Sequence, residues 1–127
     1  MVRNDRLKRV RSLAKSCECT HILVSDVVDV EYISGFRSSN AFLLIDAKKA
    51  LLGTDFRYRE QAREHCEKNP PWKFAEIREM STKFISENTG KGNRVGYQSD
   101  QITVDQLHLL RRRTTGVRFI PLSGAVS

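Results

Sequence analysis

The chain has 127 residues, 39% of them hydrophobic, three cysteines and a formal charge of +7, which suits one compact globular domain with a single core. No stretch approaches the roughly 18 consecutive apolar residues of a membrane span, and the opening MVRNDRLKRV is charged where a secretory signal turns apolar, so a soluble, cytoplasmic chain is expected. Cys17, Cys19 and Cys66 form an odd, sparse set, which argues against the bridge framework of small secreted domains and for reduced thiols.

From Asp5 to Cys17, the residues Leu7, Val10, Leu13, Ala14 and Cys17 recur every three or four positions, with Lys8, Arg9, Arg11, Ser12 and Lys15 between them. This spacing predicts an amphipathic helix. The run Ile22, Leu23, Val24 is short, continuous and branched, the mark of a strand covered on both faces, so layers are expected on both sides of a sheet. Ala41–Ile45 and Ala50–Thr54 flank the polar break 46–49 and read as a hairpin, which makes the sheet mixed.

Tyr58 to Glu67 carries Tyr58, Ala62, His65 and Cys66 at helical spacing, and Asn69-Pro70-Pro71 ends that helix. Phe74–Ile77 reads as a strand, Ser81–Glu87 as a helix, and Gly90-Lys91-Gly92-Asn93 as a turn into the strand Val95–Gln98. Thr103 with Gln106 forms a capping box. The helix it opens runs to Arg113, with cations facing the negative dipole end and Gly116 as C-cap, before a final strand Val117–Leu122. No repeat or linker interrupts this order, and the whole of residues 1–127 is read as one α/β domain with a mixed central sheet.

Two segments carry a family resemblance. Ser25-Asp26, then Asp29-Val30-Glu31-Tyr32-Ile33-Ser34-Gly35-Phe36, resembles the Asn-Ile-x-Tyr-Leu-Thr-Gly-Phe pattern of the amino-terminal domain shared by creatinase, prolidase and aminopeptidase P. Thr54-Asp55-Phe56-Arg57-Tyr58 with Glu60-Gln61-Ala62 is similar to that family's Thr-Asp-x-Arg-Tyr and Glu-Gln-Ala. A weaker match, Val95-Gly96-Tyr97-Gln98-Ser99-Asp100, extends the resemblance over nearly the whole chain. Departures fall at Asp29, where the family favours Asn, Val27, often Pro, Phe56, usually Gly, and Gln98, usually Glu.

The resemblance implies a three-layer, ribonuclease H-like sandwich with a mixed five- or six-stranded sheet and helices on both faces. It also implies that the chemistry belongs to a separate carboxyl-terminal domain of pita-bread shape, holding two divalent metals (Mn, Co or Zn) on two Asp, one His and two Glu. That domain is absent from these 127 residues, so no catalytic residue, metal ligand or cofactor is expected in this chain. The implied role is to pack on the catalytic domain, build a homodimer or higher oligomer, and wall the cleft in which a dipeptidase or aminopeptidase takes proline-containing peptides.

Five side chains are candidates for a cleft or interface: Tyr32, Phe36, Asp55, Arg57 and Tyr58, expected at strand ends, where α/β sheets place their crevices. For Tyr32, Gly35 and Phe36 a packing role is favoured: a strand end with a tight bend at the glycine and two aromatics in the core. Asp55 and Arg57 read equally as a bidentate polar pair at a domain interface or as an N-cap with a local ion pair. Cys17-x-Cys19-x-His21 with His65 and Cys66 has spacings too tight for a zinc finger, and core thiols are favoured.

His108 is a lone helical histidine, and Trp72 is expected to cover the core edge, with an interface anchor as the alternative. Gly90-Lys91-Gly92-Asn93 lacks the length and hydroxyl of a phosphate loop. Arg111-Arg112-Arg113 and the early cations suit helix ends and an outer face better than nucleic acid. Two other parents stay open: a basic binding module for nucleic acid or an acidic protein, and a creatinase-like amidinohydrolase.

Overall fold

In the computed structural model, which describes residues 2–77 and 82–122, the stripe Leu7, Val10 and Ala14 is buried on the first helix, α1 (Val2–Ser16). The branched run becomes β1 (His21–Val24), buried at every position. The chain then forms α2 (Val27–Ser34), the hairpin β2 (Ala41–Asp46) and β3 (Ala50–Thr54), a 3-10 turn (Phe56–Tyr58) and α3 (Arg59–Lys68). It continues through β4 (Trp72–Glu76), α4 (Thr82–Asn88), β5 (Arg94–Gln98), α5 (Val104–Arg113) and β6 (Arg118–Leu122). The start of the helix expected at Ser81 lies outside the described residues.

The six strands form one mixed sheet in the order β4-β3-β2-β1-β5-β6. β2 runs antiparallel to both its neighbours, and the other pairings are parallel. The carboxyl ends of β1, β3, β4, β5 and β6 therefore share one rim. Alternation along the strands divides the core in two. Ile22, Val24, Leu43, Ile45 and Leu52 face α1, α2 and α3, whereas Leu23, Leu44, Val95, Tyr97 and Phe119 face α4 and α5. The crossovers β3-α3-β4 and β5-α5-β6 travel outward in opposite directions along the sheet. A common right-handed crossover requires their helices on opposite faces, and that is where α3 and α5 pack.

Tyr32, Gly35 and Phe36, expected at a strand end, lie instead at the end of the helix α2 and just beyond it. Asp26 caps it, its carboxylate accepting from the Asp29 N–H at 3.3 Å, and Gly35 closes it at φ +80°, in the left-handed region that glycine enters without strain. The β-branched residues Val27, Val28 and Val30 disguise it, but Val30 and Ile33 meet the core on one helical face while Val28 and Tyr32 stay exposed. A second correction concerns the end of α5. Its cap is Thr114, and Gly116 lies two residues beyond, in the following turn at φ +82°. The Thr103–Gln106 capping box is present in both directions. β4 begins at Trp72 rather than Phe74 because Trp72, buried at the core edge, pairs with Ala50.

Gly96 sits on β5 where an added side chain would force its neighbours to shift. A Cβ there would lie 2.6 Å from Leu122 Cδ1 and 3.0 Å from Ile22 Cδ1. Gly96→Ala is expected to destabilise the domain by about 1–3 kcal/mol through overpacking. Gly90→Ala, in open space, should stay within about 0.5 kcal/mol. Urea unfolding of the two variants checks the contrast, and equal midpoints would contradict this packing.

Candidate functional site

The hairpin register pairs Ala41 with Thr54, which brings the residues just outside it, Asn40 and Asp55, together at the rim. Asp55 lies at the end of β3 and is buried. One carboxylate oxygen accepts from the Arg57 backbone N–H at 3.0 Å and from Arg57 Nε at 3.1 Å; the other accepts from Arg57 Nη2 at 2.8 Å and from Asn40 Nδ2 at 2.9 Å. The residue is thus both the cap of the 3-10 turn and half of a local bidentate ion pair. Hydrogen bonds from Arg57 first and Asn40 second hold its carboxyl well below the usual carboxylate range.

Phe36 and Tyr58 meet edge to face at 6.4 Å, and the Arg57 guanidinium stands 5.5 Å from the Tyr58 ring. The Tyr58 hydroxyl shares a 2.8 Å hydrogen bond with Ser39. Beneath them His65 packs against Phe36 at 5.5 Å, and its Nε2 donates to the Ser34 carbonyl at 2.8 Å. Thr54 Oγ1 donates to the Asn40 carbonyl at 2.6 Å, tying the loop that follows α2 to the end of β3.

Four of the five candidates, Phe36, Asp55, Arg57 and Tyr58, are brought together, because α2 ends and the hairpin closes at the same rim. Tyr32 is not among them. Its half-exposed ring lies under the Arg6 guanidinium, 3.8 Å away, on the side facing α1. Phe36 is the core aromatic of its segment and Tyr32 is not, which corrects half of the packing expectation.

Sequence reading did not single out Asn40, Ser39, Arg59 or Glu76. Only the symmetry of the hairpin about its turn could have placed Asn40 beside Asp55. Asp55, Phe56, Arg57, Arg59, Glu76 and Ile77 line a cavity of about 490 Å³, with Arg59 and Glu76 ion-paired at its wall. The Phe56 ring is 69% exposed, so the bulk found where the family pattern has Gly projects outward without displacing the core.

Elsewhere on the rim, Gln98 joins β5 to the start of α2. Its Oε1 accepts from the Ser25 and Asp26 N–H groups at 2.8 and 2.9 Å, and its Nε2 donates to Asp29 Oδ2 at 2.6 Å. Two separate departures from the family pattern are therefore one contact. Asn at 29 and Glu at 98 would place the amide and the carboxylate the other way round. Burial, more than its acidic neighbours, pushes the Asp29 carboxyl upward.

The cysteine and histidine set does not assemble. Cys19 Sγ reaches the Cys17 carbonyl at 3.7 Å, and the His21 ring is engaged by Thr20 and Asp46. Among the described residues no three His, Cys, Asp or Glu side chains are grouped to hold a metal ion. Nor is any helix there long and apolar enough to cross a membrane. His108 is exposed on α5.

Comparison with known proteins gives a consistent answer. The model of the creatinase/prolidase N-terminal domain matches residues 6–127. The N-terminal domain of the cytoplasmic peptidase PepQ from Mycobacterium tuberculosis is 30% identical, with a TM-score of 0.83 over 96% of this chain and 95% of that one. A creatinase/prolidase-like N-terminal domain from Corynebacterium diphtheriae is 28% identical, with a TM-score of 0.84 over 94% and 95%. X-prolyl aminopeptidase from Caenorhabditis elegans, described as a cytosolic enzyme with a di-nuclear active site, shares the fold at 22% identity and a TM-score of 0.83 over 99% of this chain and 25% of its own length. No curated protein matches significantly.

Asp55→Asn is expected to destabilise the domain by about 2 kcal/mol, since it removes the charge from hydrogen bonds that arginine donates. The depressed pKa of Asp55 means that its stabilisation is present above the ordinary value of 3.8 and is lost as pH falls below it. The variant should lack that part of the acid loss, which urea unfolding across pH would reveal. Gln98→Glu alone sets a second carboxylate against Asp29 and should cost about 2–3 kcal/mol. Adding Asp29→Asn should recover most of it. A double-mutant cycle with additive effects would refute the pairing.

Proposed function

This chain belongs to the creatinase/prolidase N-terminal domain family, and on that premise we propose that it is the non-catalytic amino-terminal domain of a metal-dependent Xaa-Pro peptidase, acting through packing, oligomer assembly and a wall of the substrate cleft. The observation that carries the reading is the gathering of Phe36, Asp55, Arg57 and Tyr58 at one rim, with Arg57 half exposed and Phe56 turned outward beside a cavity. A rim fixed by hydrogen bonds and still open to solvent is suited to meet a second domain. The 30% identical relative is the N-terminal domain of a cytoplasmic peptidase, which supports both the role and a cytoplasmic setting.

On this reading the domain is one unit over residues 1–127, and the catalytic domain lies elsewhere. On the same reading the two divalent ions, Mn, Co or Zn, belong to the catalytic domain. The partners are that domain, further copies of the same protein in a homodimer or higher oligomer, and proline-containing peptides. Tyr32, set apart from the rim cluster, is left with a contact to α1.

The test compares the isolated chain with the same chain joined to its catalytic domain, assayed on Xaa-Pro dipeptides and longer Xaa-Pro peptides with Mn or Co. The isolated chain should cleave nothing, and the joined protein should cleave at the Xaa-Pro bond and leave creatine untouched. Arg57→Ala in the joined protein should weaken assembly or raise KM. Unchanged assembly and turnover would remove the Asp55–Arg57 pair from the cleft, and cleavage by the isolated chain would overturn the proposal.

A further inference from the structure

The opposite rim, at the amino ends of the parallel strands, holds a larger cavity. It has a volume of about 830 Å³ and lies between the last turns of α1, the entry to β1, the β2–β3 turn and Asn93. That volume is within the roughly 300–1,000 Å³ of small-molecule sites.

The polar groups of this cavity are mostly donors. Arg11, Lys15 and Lys48 line it. Arg11 is held in place by its Nε, which donates to the Asp46 carbonyl at 2.8 Å, while its two amino groups have no partner among the described residues. Lys15 and Lys48 form no ion pair among the described residues. The Asn93 side-chain oxygen accepts from the Gly90 N–H at 2.7 Å, which leaves its amide N–H groups for a ligand.

The one carboxylate lining the cavity, Asp46, is engaged at both oxygens. Oδ1 accepts from the Lys48 and Lys49 N–H groups at 2.7 Å each, and Oδ2 faces His21 Nε2 at 3.5 Å. His21, which also lines the cavity, is buried. Three cations against one occupied carboxylate give a site that selects anions, and arginine with two lysines suits the several oxygens of a phosphate.

Neutralisation of a helix end accounts for Lys15, which lies in the last turn of α1. It does not account for Arg11, farther up the helix, or for Lys48, which is in the β2–β3 turn. We propose that this cavity binds a small phosphate-bearing molecule, the phosphate among Arg11, Lys15 and Lys48 and the organic body against Ala14, Cys19 and Ala47. The site is at the other end of the sheet from the Asp55 rim and stands independently of the peptidase reading.

Titration of the chain with inorganic phosphate, adenosine monophosphate and adenosine, followed by backbone amide shifts, tests this. Saturable one-to-one shifts are expected with the two phosphates and not with adenosine, concentrated at residues 11–15, 19–21, 46–48 and 93. The double variant Lys15→Ala/Lys48→Ala, whose fold is checked by circular dichroism, should weaken binding at least about tenfold. Arg113→Ala, an exposed cation outside the cavity, should change it less than about twofold. Non-saturable shifts with both phosphates, or equal losses in the two variants, would overturn the proposal in favour of diffuse screening. Tighter binding of duplex DNA with a steep salt dependence would also overturn it and reassign the rim to nucleic acid.

Discussion

A four-residue strand with no side chain in water can persist only if both its faces are covered and both its edges are paired. β1 meets these demands, with Ile22, Leu23 and Val24 fully buried between antiparallel β2 and parallel β5. Burying three branched side chains stabilises by roughly 1.5–3 kcal/mol each, which makes this strand the centre on which both helical layers rest. α1, α2 and α3 close one face and α4 and α5 the other. The two distinct rims follow from this arrangement, because strands held parallel around β1 must present all their carboxyl ends on one side.

The rims differ in charge for a physical reason. α1 leads into the amino end of β1, and α3, α4 and α5 return the chain from one rim to the start of the next strand, so these helices direct their negative dipole ends to the same side. Lys15 on α1 and Arg113 on α5 answer those ends, whereas Lys48 and Lys49 in the hairpin turn and Arg118 opening β6 add positive charge on this side of the molecule without closing a helix. These residues form no ion pairs among the described residues, whereas Arg57 and Arg59 at the other rim are paired with Asp55 and Glu76. Arg57 and Arg59 are thus neutralised locally, while the cations named at the opposite rim are not.

Departures from the family pattern are absorbed where the structure has a compensating group or free space. Gln98 and Asp29 exchange the amide and carboxylate roles while keeping one hydrogen bond, so the link from β5 to α2 survives. Phe56 needs no compensation in the core because it begins the 3-10 turn and its ring points to solvent.

The fold was legible because its signals are local. The helical stripe of α1, the branched run of β1, the symmetry of the β2–β3 hairpin and the Thr103–Gln106 box each lie within a few residues and report burial directly. α2 was missed, its end at Tyr32–Phe36 being taken for a strand end; Val27, Val28 and Val30 blur the helical pattern, and the Asp26 cap, Gly35 and packing against the sheet select the helix. The sequence by itself determined the α/β class and the mixed sheet, and through its resemblance marked Tyr32, Phe36, Asp55, Arg57 and Tyr58 as residues to follow. Tertiary structure alone decided that Phe36, Asp55, Arg57 and Tyr58 meet, that Asn40 completes the Asp55 pair, that Tyr32 turns to Arg6, and that Asp29 and Gln98 are one contact. Their partners lie 15 to 69 residues apart, and no periodicity along the chain records which loops the sheet will bring to the same rim.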